Sequence, residues 1–79
     1  MDLEPLKAQL LALGVRVATF ANDRGGTALQ FLPTYSDHKA IALAYDSYSV
    51  NFYGVKDERT IEAIYAYTKA FFMFHRGAF

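Results

Sequence analysis

The fold class this sequence predicts is a small two-layer α+β domain: a four-stranded antiparallel β-meander with an N-terminal and a C-terminal helix packed on one face. Three observations carry that prediction. Apolar residues recur at helical spacing near both ends of the chain and alternate with a period of two in between. Turn signals cut the alternating middle into four short runs. No repeat, low-complexity stretch or linker interrupts the 79 residues, so the expected order is α-β-β-β-β-α within a single domain, residues 1–79.

The first helix is expected to start at Asp2, whose carboxylate can cap it, with Pro5 in the first turn and Gly14 at its end. Leu3, Leu6, Leu10 and Leu13 make its apolar stripe, which Leu11 widens, and Glu4, Lys7 and Gln9 take the wet side. The period then changes. Val15, Val17 and Thr19 alternate with Arg16, Ala18 and Phe20 up to the turn signal Asn22-Asp23-Arg24-Gly25-Gly26, and Thr27 to Leu32 returns as a second strand stopped by Pro33.

A loop of odd length, such as Asp23-Arg24-Gly25, sets Thr19 opposite Leu29 and Val17 opposite Phe31, which keeps the bulkier side chains on one face. After a polar connection from Thr34 to His38, Lys39 to Tyr45 alternates Ile41, Leu43 and Tyr45 against Ala40, Ala42 and Ala44. A two-residue turn at Asp46-Ser47 pairs Tyr45 with Tyr48, Leu43 with Val50 and Ile41 with Phe52, which places Leu43 in the core. Ala40, Ala42 and Ala44 then fall on the outer face beside Phe20, Leu32 and Tyr53.

Gly54 closes the fourth strand and Asp57 caps the last helix, which ends near Gly77. Ile61, Ile64, Tyr65, Thr68, Phe71, Phe72 and His75 form its expected buried face.

Composition narrows the function. A chain this short buries only about 60–65% of its unfolded surface, and without cysteine it has neither disulfides nor thiolate-bound zinc to hold it. Its 53% hydrophobic content, with seven Phe and six Tyr, must do that work. Eight basic and eight acidic residues, interspersed, give no net charge. Nucleic-acid binding needs a basic surplus on one face, so this balance disfavours it. Met1-Asp2-Leu3-Glu4-Pro5 is acidic and has no hydrophobic run, so no signal peptide is expected. The longest apolar stretch, Ala70 to Phe74, falls far short of the roughly 20 residues of a membrane span. A cytoplasmic location is the expectation.

Catalytic chemistry has little to work with. Ser36-Asp37-His38 joins three catalytic residue types, but as neighbours on one loop their side chains diverge, whereas a triad is assembled from distant segments. His75, near a helix C-terminus, suits a bland interaction with the helix dipole. Two histidines with no cysteine and no His-x-x-x-His spacing make no transition-metal site. Asp57, Glu58 and Glu62 gather where acidic residues complement a helix N-terminus, and Asp23-Arg24-Gly25-Gly26 leads into a strand rather than the helix a phosphate loop needs. No catalytic, cofactor-binding or metal-ligating residue is expected, and no small-molecule substrate is evident.

The features above background concern surfaces. Met73 and Phe74 lie on a helix end that is apolar all round, with Phe79 just beyond, while one sheet can bury only one stripe of a helix. Tyr45, Tyr48 and Tyr65 are expected to rim the core; Tyr35, Tyr53 and Tyr67, with Phe20 on the outer sheet face, are expected to meet a partner. The expectation is a non-enzymatic protein-binding module acting as a small inhibitor, adaptor or assembly subunit, whose partner is another protein, a second copy of the chain included.

By analogy of size and style, stand-alone chains of this kind are often accessory proteins of phages or mobile elements, such as inhibitors of host defence. The alternative is a nucleic-acid-binding domain using the outer sheet face. The order helix, strands, helix is similar in topology to double-stranded-RNA-binding domains. Those open their last helix on a lysine-rich segment; the matching stretch here, Lys56-Asp57-Glu58-Arg59, is charge-balanced.

Overall fold

The computed structural model describes residues 3–21, 26–35, 39–46 and 49–74, with Phe74 through its backbone alone. The elements are α1 (Glu4–Ala12), β1 (Val15–Ala21), β2 (Thr27–Pro33), β3 (Ala42–Ala44), β4 (Val50–Phe52) and α2 (Glu58–Phe74). One four-stranded sheet runs in the order β1-β2-β3-β4, with every neighbouring pair antiparallel. This is the predicted α-β-β-β-β-α architecture.

Helix α1 carries Pro5 in its first turn, and Leu3 is its N-cap without a side-chain capping bond; Asp2, the expected cap, lies outside the described residues. Gly14 ends it as expected. Its φ of +81° is a left-handed conformation that a side chain would strain, and its N–H donates to the Leu11 carbonyl at 3.0 Å. The Gly14 carbonyl in turn accepts from the Thr34 N–H at 3.0 Å, which carries the β1–β2 ladder one pair beyond the strand ends.

The first hairpin has the predicted register, Val17 opposite Phe31 and Thr19 opposite Leu29, and its last pair is Ala21 with Thr27. Residues 22–26 make the connection, an odd number as expected; the proposed turn at Asp23-Arg24-Gly25 falls outside the described residues.

The second hairpin differs from expectation by one residue. Ala42 pairs with Phe52, Leu43 with Asn51 and Ala44 with Val50, in place of Leu43 with Val50 and Ile41 with Phe52. The slip turns β3 over, while Val50 and Phe52 of β4 keep facing the core as expected. Ala42 and Ala44 are therefore fully buried in the core, and Leu43 lies on the outer face, half-buried.

Two causes are visible. Residues 45–49 separate β3 from β4, an odd connection rather than a two-residue turn, and Asp46-Ser47 lacks the glycine that tight hairpins favour. The register also sets each alanine between larger neighbours, Phe31–Ala42–Phe52 and Leu29–Ala44–Val50, so large and small side chains alternate across the sheet. Ile41 prolongs the pairing beyond β3 on both sides, donating to the Phe31 carbonyl and accepting from the Tyr53 N–H, each at 2.9 Å.

Helix α2 begins as predicted on Asp57, whose carboxylate accepts the Thr60 hydroxyl at 2.8 Å and whose carbonyl accepts the Ile61 N–H at 3.0 Å. Its buried stripe is Thr60, Ala63, Ile64, Tyr67, Thr68 and Phe71, rotated from the expected one. Tyr65 is pushed to the flank, half exposed, with its ring 5.3 Å from that of Phe52. The buried Thr68 hydroxyl is satisfied within the helix by the Ile64 carbonyl at 2.7 Å.

The two helices lie side by side on the inner sheet face. The end of α1 and the first half of α2 share a groove lined by Ala12, Leu13, Arg59 and Ala63, while Glu4, at the other end of α1, acts electrostatically on Tyr67. They therefore run antiparallel.

Candidate interaction surface

The sheet register builds the outer face residue by residue. Successive rows across the strands are Arg16–Leu32, then Ala18–Gln30–Leu43–Asn51, then Phe20–Ala28. Continuing the β2–β3 register one step places Tyr45 on the far side of Ala28. The rings of Phe20 and Tyr45 meet edge to face, centroids 6.3 Å apart, and Ala28 is completely buried although no described helix covers this side. Both core-forming helices sit on the opposite face. The outer face thus exposes Phe20 and Tyr45, at 37% and 44%, beside half-buried Leu32 and Leu43. Arg16 is the only charged side chain in its rows.

This surface departs from the expected one. The alanine row Ala40, Ala42 and Ala44 does not smooth it, because Ala42 and Ala44 are core residues and Ala40 precedes β3. Leu43 stands there instead, which makes the face more apolar than sequence reasoning held.

The remaining expected contact residues are dispersed. Tyr35, 87% exposed, and Tyr53 line a shallow depression with Pro33, Lys39, Ala40 and Ile41 at the far end of the sheet from Phe20. Met73 is exposed in the last turn of α2; the Phe74 side chain and Phe79 lie outside the described residues. Tyr67, expected at the surface, is buried. It meets Phe31 edge to face at 6.0 Å and stacks on Phe71 at 6.3 Å, so it is a core residue and available to no partner.

Sequence reasoning missed Leu43 and Tyr45 on the outer face, and Leu11, which is exposed on α1. Leu11 had a signal: at 100° per residue it lies well off the stripe of Leu3, Leu6, Leu10 and Leu13.

Two titratable groups among the described residues are shifted from their ordinary values. The Thr60 hydroxyl holds the Asp57 carboxyl below its ordinary value; desolvation, next in size, opposes it, and the backbone N–H groups of Arg59 and Thr60 and the Arg59 charge support it. Burial, assisted by Glu4, raises the Tyr67 phenol. Among the described residues no three His, Cys, Asp or Glu side chains gather to hold a metal ion, and no helix is long and apolar enough to cross a membrane. Ser36-Asp37-His38 and His75 lie outside the described residues. Compared with protein-family models, curated proteins and solved structures, the chain gives no significant match to any of them.

Proposed function

We propose that this chain is a non-enzymatic protein-binding module, a small inhibitor, adaptor or assembly subunit that works in the cytoplasm and engages its partner through the open sheet face. The observation that supports this reading is a face covered by neither helix, carrying Phe20, Leu32, Leu43 and Tyr45 around one charge, Arg16, among the described residues. An antiparallel sheet normally turns polar residues to water on its free side. Exposed apolar surface with aromatic anchors is the composition of an interface core. A partner protein fits it better than a nucleic acid, which would require a field of cations around the aromatic rings. The accessory-protein analogy, inhibitors of phage or mobile-element origin among them, belongs to this same proposal.

The test is affinity capture with wild-type chain and with Leu43→Asp, each verified as folded by circular dichroism, alongside Glu62→Ala as a variant away from the sheet. The reading expects a partner protein that wild type and Glu62→Ala retain and Leu43→Asp loses. A partner held equally by all three, or tight salt-sensitive binding of single-stranded oligonucleotide in its place, would sink it.

A further inference from the structure

The two edges of the sheet are not alike. β4 has three residues, and brevity is one way a sheet avoids pairing with other chains. β1 has seven, Val15–Ala21, with no proline or lysine among them.

The ladder to β2 fixes which backbone groups point outward. Gly14 and Thr34 are a bonded pair of that register, so Arg16, Ala18 and Phe20, spaced by two, also bond to β2. The N–H and C=O groups of Val15, Val17, Thr19 and Ala21 therefore face away from β2. No backbone hydrogen bond from another described segment reaches them.

We propose that this edge pairs with β1 of a second copy, antiparallel about a two-fold axis at Ala18, so that the sheet continues from one subunit into the next. Val17 faces the partner's Thr19, and their outward backbone groups bond across the axis; Val15, 2% exposed, is already covered within its own chain.

The charge pattern fits the same register. Arg16, the only charge on the strand, comes opposite the partner's Phe20 on the outer face, at the closer spacing of a non-hydrogen-bonded pair. A guanidinium over an aromatic ring is attracted to it, and symmetry makes the contact twice. Moving the axis to Val17 or Thr19 parts Arg16 from Phe20. Zero net charge leaves no long-range repulsion between copies. The proposal is separable from the sheet-face reading, because Leu32, Leu43 and Tyr45 stay open in the dimer.

The experiment is light scattering behind a sizing column across the micromolar range, combined with amide exchange by NMR. The mass is expected to rise from 8.9 kDa toward its double, with the Val17 and Thr19 amides protected in the dimer. Ala18→Lys at this exposed site sets like charges face to face on the axis. It is expected to weaken association about tenfold or more, to recover part of it in high salt, and to leave the monomer's circular dichroism and melting unchanged. A chain that stays monomeric to millimolar concentration would overturn the proposal. So would a dimer that Ala18→Lys forms equally well, or one in which the Val17 and Thr19 amides exchange freely.

Discussion

Ala42 and Leu43 are adjacent, and their surroundings reverse what their sizes suggest. Ala42 is fully buried between Phe31 and Phe52, so Ala42→Leu forces extra methylenes into filled space and should cost about 1–3 kcal/mol. Leu43→Ala, on the outer face, should cost less than the roughly 2–5 kcal/mol typical of a core leucine. Urea unfolding of the two variants checks the ordering, which reverses if Leu43 is the core residue.

Asp57 supplies a second test at this scale. Its folded-state pKa lies below 3.8, so its contribution to stability is present above the unfolded value and is lost as pH falls through the folded one. Asp57→Ala should lower the melting temperature at neutral pH, and the gap from wild type should close as pH drops below about 3.8.

The elements differ in how far the sequence reveals them. The first hairpin was legible because Asn22 to Gly26 marks a turn and because one loop parity alone gathers Val17, Thr19, Leu29 and Phe31 on a face. The second was not. Size alternation favoured Ile41, Leu43 and Tyr45 as the core set; Ile41 does pack against the core, yet β2 already fills it with Leu29 and Phe31, and the volume left beside them admits Ala42 and Ala44 in place of Leu43 and Tyr45. That constraint comes from a neighbouring strand and cannot be seen within the hairpin's own residues.

Helix α2 shows the same limit. Its existence, its cap at Asp57 and the place of Tyr65 at the rim of the core were plain, while a rotation of its buried stripe brought Tyr67 inward onto Phe31. Of the expected contact residues within view, Phe20, Tyr35, Tyr53 and Met73 are exposed; the helix rotation removes Tyr67.

For the whole molecule, the consequence of both helices sharing one side is a sheet whose other face no described helix covers. A chain of this size covers its apolar surface once, and the inner face receives α1 and α2 together. The outer face is left with Phe20, Leu32, Leu43 and Tyr45, and the long edge of β1 is left without a neighbour in the sheet. Dimerisation along that edge would also make the melting temperature rise with protein concentration, since association stabilises the folded chain by mass action.

The most direct measurement uses the absence of cysteine. Leu43→Cys and Ala42→Cys, prepared as separate variants, would be reacted under native conditions with a water-soluble thiol reagent. The account predicts rapid labelling at position 43, slowed when a partner covers the face, and strong protection at position 42. Protection at 43 with rapid labelling at 42 would contradict it, placing the leucine inside and leaving the smooth alanine row outside.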